Sequence, residues 1–105
     1  MSEELEITLL RSAAEAGKLH WRRHALERML ERGISREEMR LAILYGEAIE
    51  VYAQDKPYPS CLILRIDGEA LHVVVAFEPG SGICHVITAY RPDTDRFDLD
   101  LKTRR

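Results

Sequence analysis

Residues 61–77 read CLILRIDGEALHVVVAF, and they are the strongest indication of the fold class. Two apolar runs rich in β-branched residues flank the pair Asp67-Gly68, which is typical of a tight turn between antiparallel strands. The stretch therefore predicts a β-hairpin at the centre of an antiparallel sheet.

Two further strands are predicted on either side of this hairpin in the chain. Residues 49–53 alternate apolar and polar side chains, as a half-buried strand does, and residues 83–90 form another apolar run that ends before Pro92. The glycines and proline of residues 79–82 supply the turn that precedes the last strand. The sequence thus predicts four strands that pair in chain order.

The part of the chain before the strands has helical periodicity. Residues 3–16 and 24–32 each give an apolar stripe that ends at a glycine. Ser35, followed three residues later by Glu38, forms a capping box that begins a third helix, and Gly46 ends it. Helices that precede an antiparallel sheet define an α+β fold.

Length and composition fit one globular domain. A chain of 105 residues with 46% hydrophobic side chains can form a core without a metal or disulfide. We expect a single domain over 1–105, with a core at 18–97 and a polar tail at 98–105. Neither a signal peptide nor the ~20 apolar residues of a membrane span is present, so we expect a cytoplasmic protein with no membrane partner.

The charge distribution favours a focused anion site. A formal net charge of -3 argues against a protein that coats nucleic acid non-specifically. Residues 1–17 are acidic, whereas residues 18–45 carry more Lys and Arg than Glu. A local basic surface suits one bound phosphate, and a solvated helix face is the alternative explanation.

His24, Arg28 and Arg32 recur every four residues and share one face of the second predicted helix. An imidazole beside two guanidinium groups can bind a phosphate and exchange a proton with it. The same spacing is typical of an exposed face on which Glu27 and Glu31 neutralise the arginines. The spacing leaves both interpretations open.

His72 lies inside the apolar third strand. A two-residue turn in the hairpin pairs Ile63 with His72, and Arg65 then lies diagonally from His72 on the same face of the sheet. We expect His72 to be either a catalytic group or a hydrogen-bonded group of the core.

Tyr90-Arg91-Pro92-Asp93 ends the last strand, where side chains reach the rim of the sheet. Tyr90 can donate a hydrogen bond to a phosphate and Arg91 can neutralise one, although a simple strand terminator is the alternative. The four histidines have no recognisable metal spacing and no Gly-rich phosphate loop is present, so we expect no metal and no cofactor.

Five blocks of sequence occur in a characteristic order: HALERMLERGIS at 24–35, GEAIE at 46–50, PSCL at 59–62, LHVV at 71–74 and YRPD at 90–93. In that order they resemble a family of small bacterial domains of unknown function. The resemblance covers about residues 18–97, with Phe97 where the family usually has tryptophan. That family is commonly found beside YgiT-type zinc-finger antitoxins, and it resembles, distantly, the RelE, BrnT and MqsR ribonuclease toxins.

The resemblance implies a RelE- or barnase-like α+β fold, with N-terminal helices packed on a four-stranded antiparallel sheet. It also implies the toxin of a type II toxin–antitoxin pair, an endoribonuclease of the mRNA interferase kind. The expected partners are RNA and an antitoxin protein, of the zinc-finger type or another. Separately, an exposed edge strand could pair with a second copy of the chain or with the partner, which leaves a homodimer open. A non-enzymatic protein-binding module and an inactive toxin homologue acting with a partner remain alternatives.

We hypothesise metal-independent RNA cleavage in which the ribose 2′-hydroxyl attacks the adjacent phosphate. Such chemistry needs a proton acceptor, a proton donor and cations near the developing charge. The predicted catalytic residues are His24, as base or acid, and His72 or Tyr90 as its counterpart. The predicted phosphate-binding residues are Arg28, Arg32, Arg65 and Arg91. A shared site requires the second helix to cross near the strand ends, so that His24 meets His72.

Overall fold

A computed structural model describes residues 7–95, 97–98 and 100–104 of the chain. These residues form an α+β domain with three helices and one five-stranded sheet. In chain order the elements are α1 (Ile7–Glu15), β1 (Leu19–Trp21), α2 (Arg23–Arg32), α3 (Arg36–Tyr45), β2 (Glu47–Tyr52), β3 (Ser60–Asp67), β4 (Glu69–Glu78) and β5 (Ile83–Tyr90). The predicted residues 3–6 of the first helix lie outside the described part of the chain.

The sheet has the strand order β1-β5-β4-β3-β2. Strands β2 to β5 pair antiparallel in chain order, as predicted. The prediction of a four-stranded, purely antiparallel sheet is wrong, because β1 adds a fifth strand that runs parallel to β5. A stretch of three residues is too short to show the alternating pattern of a strand, so β1 can be recognised only from its pairing with β5.

The β3–β4 hairpin differs from the predicted register by one residue. Asp67 pairs with Glu69 across Gly68, which has a positive φ of 77°, so His72 lies opposite Leu64 rather than Ile63. Directly paired residues point to the same face of a sheet, so a shift of the register by one residue changes which side chains share a face. His72 shares its face with Leu64. Arg65 therefore lies on the face opposite to His72, and the predicted diagonal contact between them is wrong.

The helices cover one face of the sheet and form the main core with it. Met39 and Ile43 of α3 pack there with Ile63, Val73 and Val86 of the strands. The capping box at Ser35 begins α3 as predicted, since Ser35 Oγ accepts from the Glu38 N–H and the Glu38 carboxylate accepts from the Ser35 N–H. Because side chains alternate between the two faces of a strand, the neighbours of these core residues point away from the helices.

The outer face of the sheet, which points away from the helices, carries Leu62, Leu64 and His72 between the core-facing residues of β3 and β4. Much of it is covered by the C-terminal segment, the described residues of 92–104. Phe97 is only 2% exposed there, and it forms an isolated bridge with Arg104. None of the described helices has the length and apolar character required to cross a membrane.

Candidate functional site

An open cleft of about 420 Å³ lies where the end of α2, the end of β5 and the C-terminal segment meet. We call it the arginine cleft, because three of its side chains are guanidinium groups from three separate parts of the chain. Its lining residues are Arg32, Tyr90, Arg91, Pro92, Asp93, Phe97 and Arg104.

Arg32 reaches the cleft from the last turn of α2. The helix ends at Gly33 in the left-handed conformation, with φ 65° and ψ 33°, which glycine adopts without a steric penalty. Arg32 Nη1 donates a hydrogen bond of 2.5 Å to the carbonyl oxygen of Ala89. Among the ion pairs between described residues, none involves Arg32, so its charge is available to an anion in the cleft.

Tyr90 and His72 are directly opposite each other in the β4–β5 pairing. The Tyr90 hydroxyl lies 3.2 Å from His72 Nδ1, and His72 Nε2 lies 2.8 Å from the carbonyl oxygen of Leu101. Because a carbonyl oxygen only accepts, Nε2 carries the proton and donates it to Leu101. In the neutral ring Nδ1 is then the acceptor, and the Tyr90 hydroxyl donates to it.

His72 is fully buried on the outer face. The ring of Phe97 stacks edge-on against it, with centroids 4.6 Å apart. Burial lowers the pKa of His72, against the opposing effects of the Leu101 carbonyl and of Glu50, so the ring is neutral near pH 7. A substrate bound in the cleft therefore does not contact His72 directly, and the Tyr90 hydroxyl lies between them.

Arg104 of the C-terminal segment is bound to β2 by Glu50. Arg104 Nε lies 2.7 Å from Glu50 Oε2, and its guanidinium group lies 5.0 Å above the ring of Phe97. Glu50 also accepts a hydrogen bond from the Tyr52 hydroxyl. Burial acts to raise the pKa of Glu50, but the hydrogen bonds from Arg104 and Tyr52 outweigh it and lower that pKa. This network holds Arg104 beside the cleft.

Arg91 links the arginine cleft to a neighbouring pocket of about 200 Å³ that Arg65 also lines. Arg91 binds Glu38 at 2.8 Å and Glu69 at 3.3 Å, and the hydrogen bond from Arg91 is the main cause of the lowered pKa of Glu38. Arg65 instead lies 3.4 Å from Asp67. The structure therefore brings Arg91, but not Arg65, to the wall of the arginine cleft.

His24 and Arg28 do not reach the cleft lining. Ala25 and Met29 of α2 pack into the core on the helix side of the sheet, whereas His72 faces the other side. His24 is exposed, and Arg28 forms an ion pair of 2.9 Å with Glu31. The hypothesis that α2 brings His24 and His72 into one site is therefore wrong, because the sheet lies between them.

Sequence reasoning missed Arg104 and Glu50. Arg104 lies in the predicted polar tail at 98–105, and Glu50 lies on the polar side of an alternating strand. Glu50 ends the block GEAIE, but that block does not indicate a contact with Arg104, because the two residues are 54 positions apart in the chain. Within the described residues, no group of three or more His, Cys, Asp or Glu side chains is placed to hold one metal ion.

The model of one protein family, Domain of unknown function (DUF4258), matches residues 21–91. The chain belongs to the DUF4258 family. Comparison of the chain with curated proteins and with solved structures found no match. The resemblance to a small domain family of unknown function is thereby confirmed at that level.

The DUF4258 region contains all of the predicted site residues and the whole sheet apart from its first two positions. It ends at Arg91, so Phe97 and Arg104 lie beyond it. The His72–Tyr90 pair thus belongs to the family domain, whereas its cover comes from the C-terminal segment.

Proposed function

We propose that this DUF4258 protein is an endoribonuclease of the toxin type and that the arginine cleft binds the RNA. One observation carries the proposal. Arg32, Arg91 and Arg104 line a single open cleft together with Tyr90, whose hydroxyl donates to the neutral, buried imidazole of His72. Cations beside a proton acceptor are what phosphodiester cleavage by a ribose hydroxyl requires.

Tyr90 and His72 supply the proton acceptor in this proposal. The ribose 2′-oxygen attacks phosphorus while its proton passes to Tyr90 Oη, whose own proton passes to His72 Nδ1. The bond from phosphorus to the 5′-oxygen breaks, and that oxygen takes a proton from solvent. His72 then returns a proton to Tyr90, which releases one to solvent, and the neutral pair is restored. The products are a 2′,3′-cyclic phosphate and a free 5′-hydroxyl. Tyr90 is the catalytic residue because it contacts the substrate. His72 orients the Tyr90 hydroxyl and accepts its proton.

The three arginines differ in how readily they bind a phosphate. Within the described part of the chain Arg32 donates to the neutral carbonyl of Ala89 and forms no ion pair, so it binds the anion without losing one. Arg91 and Arg104 already bind carboxylates, and a phosphate must share them with Glu38 or Glu50. We therefore assign Arg32 as the first phosphate contact.

The partner in this proposal is an antitoxin that blocks the cleft. The cleft wall is rich in guanidinium groups, so an acidic segment of the antitoxin matches it in charge. In the cytoplasm such a complex keeps the ribonuclease inactive until the antitoxin is removed.

Cleavage of a single-stranded RNA oligonucleotide by the purified chain, in excess chelator, tests the proposal. We expect cyclic phosphate ends, and no cleavage of the same oligonucleotide carrying 2′-O-methyl groups, because the attacking hydroxyl is blocked. Tyr90→Phe should lower the cleavage rate ~10²-fold or more while RNA still binds. His72→Gln should change the pH profile of the rate, since it replaces the group that receives the proton.

Arg32→Ala tests the phosphate contact. We expect weaker RNA binding and a salt dependence of log K that is shallower by about 0.7, as for the loss of one phosphate contact on single strands. Arg23→Ala is the matched control, because Arg23 begins the same helix, has a side chain 95% exposed and pairs with Glu27. Equal effects of the two substitutions would contradict the assigned cleft.

A protein-binding module is the second candidate, and a specific observation favours it. Arg28, Arg65 and Arg91 each bind a carboxylate within the chain, and His72 has no exposed surface. If the purified chain leaves RNA intact but binds an acidic partner protein, and Arg32→Ala weakens that complex, the cleft is a docking site and the ribonuclease proposal fails.

A further inference from the structure

A second group of histidines lies on the outer face, on the strands β1 and β5. His20 and His85 are directly paired in the parallel register of these strands, and both point away from the core because their neighbours Leu19 and Cys84 pack into it. Their Nδ1 atoms lie 3.1 Å apart. The two rings are steeply inclined, with an interplanar angle of 77°.

His85 is held in place by its surroundings. Its Nε2 lies 2.9 Å from Glu78 Oε1, and the ring of Tyr58 stacks on it with centroids 5.4 Å apart and an interplanar angle of 11°. The contact between Glu78 Oε1 and His85 Nε2 has the length of a hydrogen bond from an imidazole N–H to a carboxylate oxygen.

This arrangement determines which nitrogen of His85 is free to bind a ligand. A carboxylate only accepts hydrogen bonds, so Nε2 of His85 carries a proton, and in the neutral ring Nδ1 has the lone pair. A histidine that binds a metal through one nitrogen characteristically donates its other N–H to a carboxylate, which orients the ring. Glu78 stands in that relation to His85.

The separation of the two Nδ1 atoms suits a common metal ion. Imidazole nitrogens bind Zn²⁺ at ~2.0–2.1 Å, and two such ligands at angles from 90° to tetrahedral are about 2.9–3.4 Å apart. The observed 3.1 Å falls within that interval. Without an ion, a proton must occupy the space between the two nitrogens, and a metal ion replaces that proton.

We propose that His20 and His85 chelate one divalent transition-metal ion through their Nδ1 atoms, with Glu78 orienting His85. Imidazole ligands select Zn²⁺, Ni²⁺ or Cu²⁺ over Mg²⁺ or Ca²⁺, which prefer oxygen. Two protein ligands leave room for water or an anion. The adjoining cavity of about 410 Å³, which His20, Lys18 and Ser81 line, supplies the space.

The ion would link the short edge strand β1 to β5 through one ligand on each strand. β1 has only three residues, and it joins α1 to α2. A ligand that binds the folded state alone stabilises it by mass action. The metal is therefore expected to raise the melting temperature. This role is independent of the proposed ribonuclease site, which lies at the other end of the outer face.

Calorimetric titration of the tag-free full chain with ZnCl₂ and with NiCl₂ tests the proposal. We expect one ion per chain, a higher melting temperature, and no competition from excess Mg²⁺. Long-range ¹H–¹⁵N spectra should show the imidazole nitrogens of His20 and His85 moving with added Zn²⁺, while those of His24 and His72 stay in place. None of these readouts depends on RNA cleavage.

Two variants and one control complete the test. His20→Ala should weaken binding at least tenfold, and because His20 is exposed the variant should fold. Glu78→Gln should weaken binding by ~10–100-fold, as for other outer-shell partners of a metal ligand. His24→Ala, which removes an exposed histidine elsewhere, should bind as the parent does. Absence of stoichiometric binding in the parent, or unchanged affinity in His20→Ala, overturns the proposal.

Discussion

His72 of β4 and Tyr90 of β5 form a hydrogen-bonded pair across the sheet, with 3.2 Å between His72 Nδ1 and the tyrosine hydroxyl. The histidine is fully buried, while the tyrosine reaches the wall of an open cleft. A buried base is thus linked to the surface by a single hydroxyl group. The consequences of this pairing, and of the packing that creates it, can be measured.

The burial of His72 predicts a pH dependence of stability. Its pKa in the folded chain lies below the ordinary value of 6.5, chiefly because of burial. As the pH falls below 6.5, the unfolded chain takes up a proton that the folded chain does not, so the free energy of unfolding decreases, by up to ~1.4 kcal/mol per pH unit.

Urea denaturation of the parent and of His72→Gln between pH 7.5 and 5 measures this effect. Glutamine keeps a donor and an acceptor but does not titrate, so the variant should lose less stability on acidification. Parallel curves for the two proteins would show that His72 is protonated equally in the folded and unfolded states.

Phe97 is predicted to be essential to the cover of the outer face. It is 2% exposed and stacks against His72, so Phe97→Ala should lower the free energy of unfolding by ~3–5 kcal/mol. Leu30→Ala is the control, because Leu30 is 85% exposed and its truncation should change stability by no more than ~0.5 kcal/mol. A small effect of Phe97→Ala would mean that the C-terminal segment does not pack on the sheet in solution.

Gly46 is required by steric contact rather than by its backbone angles. Its φ is -79°, yet a Cβ there would lie 2.4 Å from the carbonyl oxygen of Ala42 and 2.6 Å from Ile63 Cγ2. Gly46→Ala should therefore cost ~1–3 kcal/mol in unfolding free energy through overpacking. Gly80→Ala, where a Cβ meets nothing within 4 Å, should leave the urea midpoint nearly unchanged. Similar midpoints for both variants would refute the packing at the α3–β2 junction.

The two cysteines are predicted to be unreactive in the folded protein. Burial raises the pKa of Cys61 and of Cys84 to about 12, so the thiolate is scarce at pH 8. A disulfide-exchange reagent should label neither thiol in buffer and both in concentrated urea. Rapid labelling of the native chain would show that one of the thiols is accessible.

The local signals in the sequence predicted most of the secondary structure. The Asp67-Gly68 turn, the capping box at Ser35 and the period of the apolar residues each act over a few positions, and the structure has the corresponding hairpin and helices. The same kind of signal identified Tyr90 and Arg32. Pro92 indicates the end of the strand that carries Tyr90, and Gly33 indicates the end of the helix that carries Arg32.

The candidate site as a whole could not be predicted from these signals. The hairpin register depends on which of two adjacent pairings packs better, and a shift of one residue separates Arg65 from His72. His24 is remote from His72 because α2 packs on the opposite side of the sheet. The spacing of residues along a helix does not indicate which side of the sheet the helix covers.

The local elements, and the imidazole, hydroxyl and guanidinium groups that they carry, follow from the order of the residues. Three features depend on contacts between distant parts of the chain: β1 pairs with β5, Arg104 binds Glu50, and His72 is buried behind Tyr90. The two kinds of interaction differ in how far apart in the chain their residues lie. Turn, cap and periodicity preferences are properties of a few neighbouring residues, whereas pairing partners and burial depend on contacts that close loops of tens of residues and are favourable only once the whole core has formed.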